Sequence, residues 1–256
     1  MLRKLLWSTI LAASIAAGCQ TKEPMLERIL PVPVGTQVWD TEAQERQEQL
    51  EEIVEKHKIP HIADVIYYDD IFKDRYVHGM QSEYGTRKIV AEHFWEEFGK
   101  NPYVAVTIIP NKLVGQGKDS MMIVFSDAFN REKEDLLSFL VDHESVHAQD
   151  NATGVILAGE KATPEIIKKI GTKKYEDIME LRAYGNQLLQ IEDKKRVVSR
   201  KTMDFVVEMY CQLHGKILAR AMSDKYAKSA IEQAPYFPMF DTQSRKLIIY
   251  RVVRKK

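Results

Sequence analysis

The chain has 256 residues, enough for one large domain or one domain with an appendage, and 45% of them are apolar, enough for a sizeable core. Its 37 basic and 37 acidic side chains cancel, so nothing in the charge balance points to nucleic acid as a partner. Two cysteines exclude a disulfide-rich scaffold.

Residues 1–18 carry Arg3 and Lys4, then an apolar run over residues 5–15 that is too short for a stable bilayer anchor. Small residues follow, Ala16-Ala17-Gly18, and then Cys19. This resembles the bacterial lipoprotein signal, with Ala16 standing where Leu is commonest. The resemblance implies lipidation at Cys19, a mature chain beginning there, and a membrane contact through the N-terminal lipid. Gln20 after the cysteine resembles lipoproteins sent to the outer membrane, which implies a cell-envelope location facing the periplasm. Removing Arg3 and Lys4 leaves 35 basic against 37 acidic side chains, a net charge of −2. Residues 19–38, with Pro24, Pro31 and Pro33, read as a tether, and residues 39–256 as the folded domain.

Thr41 followed by Gln44 is a capping-box pattern, so residues 41–58 are predicted helical with a solvated Glu/Gln face. A strand is expected over residues 62–68, with Asp69, Asp70 and Asp74 in the loop after it, since the spacing of an EF-hand loop is missing. Residues 86–98 read as a helix with Phe94, Trp95 and Phe98 at core spacing. A hairpin is expected from strands 103–109 and 120–125 joined through Gly115 and Gly117.

The next predicted element, a helix over residues 131–150 capped by Asn130, contains His143-Glu144-Ser145-Val146-His147, the pattern H-E-x-x-H. Positions four apart share one face of an α-helix, so His143 and His147 can grip one metal ion, while Glu144 can reach a water beside it. Leu136, Leu140, His143 and His147 form an apolar stripe, opposite a polar face of Asp135, Ser138, Asp142, Ser145 and Gln149. Further helices are expected after Thr163-Pro164-Glu165, over 173–192, over 199–222 with the stripe Met203, Val207, Tyr210, His214, Ile217 and Ala221, and over 225–233. A last strand is expected over 246–253. Cys211 reads as a small buried apolar residue.

A catalytic zinc site usually takes three protein ligands and a water. The extended motif that brings a third His is excluded, because Asp150 and Thr153 stand at its Gly and His positions. The later helix offers Glu176 through Tyr184, and here the chain resembles the gluzincin-type zinc metallopeptidases, over roughly residues 103–192. That resemblance implies an α+β, mostly helical zincin-like fold with a small sheet beside the active-site helix. It also implies zinc as cofactor and a peptide or protein as substrate. Glu180, followed by the small Ala183, looks like the third ligand, with Glu176 and Glu160 as alternatives. Tyr184 stands where thermolysin-like members place an Asp that orients a zinc histidine, so that orientation must come from Asp142, Asp150 or a backbone carbonyl. In this reading Glu144 is the general base, and Tyr184, His214 or Tyr210 supplies a second donor to the oxyanion. The strand over residues 120–125 is expected to pair with an extended peptide if it is a sheet edge. The rival class is a non-catalytic envelope lipoprotein that keeps a zinc site for structure or for binding.

Overall fold

The structure, a computed structural model, describes residues 41–100, 104–241 and 246–252. Cys19, the signal segment and the tether lie outside the described residues. The fold is α+β and mostly helical, as expected.

Helix α1 (Thr41–His57) precedes strand β1 (Ile62–Tyr67), and α2 (Lys73–Ser82) and α3 (Lys88–Phe98) follow. Asp69 accepts from the Ile71 amide and caps the turn that leads into α2, so this Asp-rich stretch is a helix start. The sequence reading missed α2, whose buried face is only Tyr76, Val77 and Met80. Strands β2 (Ala105–Ile108) and β3 (Ser120–Val124) pair antiparallel, and β1 pairs parallel to β3, giving the order β1-β3-β2. The expectation that the 120–125 strand might be an edge is therefore corrected: β3 is central and buried along its whole length. Its residues Met121 to Val124 are apolar without alternation, as a strand covered on both faces requires. The outer edge of β1 is closed by Gln47 of α1, whose amide donates to the Val65 carbonyl and accepts from the Tyr67 amide. Strand β2 forms the other edge of this sheet among the described residues.

The turn α4 (Ser126–Phe129) leads into α5 (Lys133–Leu137), a π-helical stretch Ser138–Glu144 and α6 (Ser145–Thr153), which run end to end. The expected single α-helix is thus interrupted by π geometry from Ser138 through the first two residues of the motif, a feature frequent at functional sites. Glu132, not Asn130, precedes its first turn, and no side chain caps it. Its predicted polar face is not solvent-exposed either: Asp135, Ser138 and Asp142 are buried. This ligand helix lies between two cores. One contains Leu136, Leu137 and Leu140 with the sheet and α1 to α3. The other is built from the helices that follow. A helix covered on both sides must satisfy its polar residues internally. Asp135 accepts from Ser199, Ser138 from Gln187, and Asp142 from Arg196.

A short hairpin, β4 (Ile156–Leu157) and β5 (Glu160–Lys161), precedes α7 (Pro164–Ile170), which Thr163 caps. The long helices α8 (Thr172–Glu192) and α9 (Arg200–Leu218) pack against each other, with α10 (Lys225–Gln233) beside α9. The buried face of α9 is Thr202, Val206, Met209, Tyr210, Leu213, His214 and Ile217, so Met203 and Val207 of the expected stripe sit at its margin. Cys211 is half-buried, less than expected, and burial pushes its thiol up to about 11. The last strand pairs with one the sequence reading did not anticipate, β6 (Tyr236–Asp241) with β7 (Lys246–Arg251). Pro238 within β6 weakened that signal.

Candidate metal centre

His143 leaves the π-helical stretch and His147 the first turns of α6, and their Nε2 atoms converge to 3.3 Å. Glu180, in the middle of α8, faces both. Its Oε2 lies 3.4 Å from His143 Nε2 and its Oε1 lies 3.5 Å from His147 Nε2. Two ligands held about 2.0–2.1 Å from one ion at a tetrahedral angle stand about 3.3–3.4 Å apart. All three separations match that edge. They are longer than the roughly 2.7–2.9 Å of a charge-assisted hydrogen bond. The three side chains thus converge on a common point, and they could hold a metal ion. Among the described residues they are the group of His, Cys, Asp and Glu side chains with this property.

Electrostatics agree with the geometry. Burial alone would raise the Glu180 carboxyl, but the imidazoles of His147 and His143 outweigh it and hold it far below the usual carboxylate range. Burial works against the charged form of His147, yet Glu180, with Glu144 and Asp150 beyond it, raises the ring above its ordinary value. His143 Nδ1 and Glu144 Oε2 are buried without hydrogen-bond partners. A buried carboxylate oxygen without a partner is uncommon and calls for a role.

Glu180 is the alternative the geometry selects. Glu176, one turn earlier, bonds to Lys173 at 3.2 Å, and Glu160 pairs with Lys225 and Tyr226. Tyr184, one turn after Glu180, packs its ring on His143 at 4.3 Å between centroids, inclined at 62°. Burial, with Glu180 and Glu144 nearby, raises its phenol well above the ordinary range, so it stays a proton donor. His214 is not brought to the site. It packs against Phe237 and Tyr210, and Phe205 is the residue of α9 that reaches Tyr184. Nine residues of helix place His214 about 13 Å further along and on the opposite side from Phe205. Tyr210 is also excluded as an oxyanion donor, since its hydroxyl donates to the Tyr236 carbonyl and accepts from the Tyr236 amide.

Asp142 and Asp150 do not bond to the histidines. Arg196 holds Asp142, at 3.0 and 3.3 Å, and Arg182 holds Asp150. Asn186 of α8 adds a bond to the Asp142 carbonyl at 2.7 Å. These residues fix the ligand helix against α8 and the loop before α9, and the sequence reading missed Arg182, Arg196 and Asn186. No pattern in one sequence links Arg196 to a residue 54 positions earlier.

Strand β2 lies over the motif, where Thr107 Oγ1 approaches the Glu144 carbonyl at 3.4 Å. The Phe125 amide donates to the Val104 carbonyl, so the alternation of an antiparallel ladder turns the backbone groups of Ala105 and Thr107 away from β3. A separate groove of about 460 Å³, lined by Ser145, Gln149, Asp150 and Arg182, contains none of the three converging ligands.

Comparison with known proteins finds no matching family model, no matching curated protein and no matching solved structure.

Proposed function

We propose that this chain is a zinc-dependent peptidase of the bacterial cell envelope, anchored by lipid on Cys19 to the outer membrane and facing the periplasm. The observation that carries the reading is the triangle of His143, His147 and Glu180, with edges of 3.3, 3.4 and 3.5 Å, beside the unpartnered Glu144 Oε2. Two imidazoles and a carboxylate are a ligand set suited to catalytic zinc, which keeps its fourth position open. Bound zinc would supply Lewis acidity and lower the pKa of a coordinated water to about 7.

The chain's own residues supply the rest. Glu144 Oε2 receives the proton of the attacking water and passes it to the leaving amine nitrogen. The Tyr184 hydroxyl, protonated at neutral pH, donates to the developing oxyanion. The outward backbone groups of Ala105 and Thr107 on β2 pair with an extended peptide, a role the sequence reading had given to the 120–125 strand. Among the described residues no helix is long and apolar enough to cross a membrane, so the proposed attachment rests on the N-terminal lipid and on Gln20 for outer-membrane sorting.

A non-catalytic zinc lipoprotein is the second reading. Structural zinc sites are closed and rich in Cys, and such a site gives no role to the free oxygen of Glu144. The experiment is metal analysis of the purified full chain in detergent, paired with hydrolysis of a peptide library. The peptidase reading expects about one zinc per chain, lost in His147→Ala and kept in Glu144→Gln, with hydrolysis gone in both. A chain that takes up no zinc, or undiminished cleavage by Glu144→Gln, overturns it. Zinc without any hydrolysis by the parent chain selects the second reading.

A further inference from the structure

Five arginines among the described residues are partly or largely buried. Four hold a carboxylate: Arg46 pairs with Glu42, Arg182 with Asp150, Arg196 with Asp142 and Arg220 with Asp177. Arg131 has no carboxylate within ion-pair distance among the described residues. Its one hydrogen bond is a long contact of 3.5 Å from NH1 to Thr202 Oγ1, and its Nε is buried without a partner. Asp127 and Asp135 attract it only from further away, and Asp135 is already engaged by the amide and hydroxyl of Ser199. A cation taken partly out of water without an anionic partner is costly, and its guanidinium fork fits a carboxylate.

The position of Arg131 relates it to the metal centre. Its guanidinium carbon lies 4.6 Å from the centre of the Phe139 ring, and Phe139 is one turn before His143, 6.5 Å away between ring centroids. Phe205 lies 6.1 Å from Phe139 and 6.2 Å from Tyr184, which itself packs on His143. A continuous chain of packed aromatic rings therefore runs from the proposed zinc ligands to the arginine whose Nε has no partner.

We infer that Arg131 receives a carboxylate of the substrate, in a subsite walled by Phe139, Phe205 and Tyr184 beside the metal centre. The inference rests on the peptidase reading in taking that carboxylate to be part of a peptide, either its free C-terminus or an acidic side chain. Guanidinium and carboxylate meet through two parallel hydrogen bonds, and the aromatic wall accepts an apolar residue next to the carboxylate.

The test is calorimetric binding to the full chain in detergent, metal-free and zinc-loaded, with three small probes. N-acetylphenylalanine carries an α-carboxylate, its amide carries none, and the α-amide of N-acetylglutamate carries only a side-chain carboxylate. At least one acid is expected to bind about tenfold more tightly than the uncharged amide, in both metal states. The tighter acid identifies the source of the carboxylate. Arg131→Gln should bring the preference to about one, and Arg131→Lys, which keeps charge and volume but loses the fork, should leave an intermediate preference. No preference in the parent chain, or a preference that survives Arg131→Gln, overturns the inference. The two readings fail separately. Stoichiometric zinc uptake without any acid preference removes the subsite alone, whereas acid preference in a chain that takes up no zinc removes the peptidase reading and keeps the subsite.

Discussion

Arg182 holds Asp150 through both carboxylate oxygens, at 2.8 and 3.0 Å. Asp150 lies three residues after His147 and Arg182 two residues after Glu180, so this one pair ties together the two helices that supply the converging ligands. The Asp150 side chain is buried, which makes the link more than a surface contact.

Loss of that tie should loosen the metal centre more than the fold. Arg182→Met keeps the packing of the side-chain stem and removes the fork. In the zinc reading, metal affinity should fall, because the helix carrying His147 and the helix carrying Glu180 lose their tie. Competition with a chromophoric chelator measures it. Asp150→Asn should fall by a similar factor, and the double variant by little more, because both changes break the same contact. Full additivity would mean that the two residues act separately.

Asp142 is anchored differently, through a pair with Arg196 in which both side chains are almost fully buried. Removing one member of such a pair leaves the other charged and unpaired, at a cost of about 3–5 kcal/mol. Arg196→Ala should therefore lower denaturant stability by roughly 3 kcal/mol, partly relieved in Arg196→Ala with Asp142→Asn. Burial already pushes the Asp142 carboxyl up despite Arg196, so without the arginine it would take up a proton more readily. An unchanged denaturation midpoint would show that water reaches the pair and replaces the arginine.

Tyr184 offers a cleaner separation of roles, because its ring packs on His143 while its phenol feels the charges of Glu180 and Glu144. Tyr184→Phe retains the ring. In the peptidase reading it should leave zinc content and melting temperature unchanged and reduce kcat about 10²-fold with little change in KM. Equal loss of zinc and activity would assign the residue to holding His143 in place.

The parts legible in the sequence were those written in local patterns. His143 and His147 are four apart, Thr163-Pro164 announces a helix start, and Lys225–Gln233 begins and ends where its residues say. The parts that were missed depend on what lies opposite. Nothing in Asp135, Ser138 and Asp142 distinguishes a solvated face from one met by Ser199, Gln187 and Arg196, because the pattern reports polarity and not the partner. The π-helical stretch is equally silent, since its residues are ordinary helix formers. Glu180 was separable from Glu176 only by a resemblance, and the distances now make the same choice.

Helix α8 also approaches Pro235 and the Tyr210 ring of α9 closely at Gly185, where contact leaves no room for a side chain. A Cβ there would stand 2.9 Å from Cγ and 3.0 Å from Cδ of Pro235, and 3.3 Å from the Tyr210 ring. In an exposed helix Gly→Ala would gain about 1 kcal/mol. Here the rigid proline ring cannot yield, so Gly185→Ala should destabilise by about 1–3 kcal/mol. A thermal melt reads the sign directly, and a raised melting temperature would mean that the Pro235 loop moves aside without cost.

His214, withdrawn from the catalytic set, becomes a determinant of pH stability. It is buried, its Nε2 has no partner, and burial lowers its pKa below the ordinary 6.5. In the unfolded chain the ring takes up a proton as pH falls through about 6.5, while in the folded chain it does so only at lower pH. Between those two values the unfolded state binds more protons, so stability falls with falling pH. Above 6.5 both states are neutral and the contribution is complete. His214→Gln should flatten the decline in denaturant stability below pH 6.5, whatever it does to absolute stability at pH 8. A variant with the same slope as the parent would mean that the folded ring protonates as freely as the unfolded one, and the burial of His214 would then carry no electrostatic consequence.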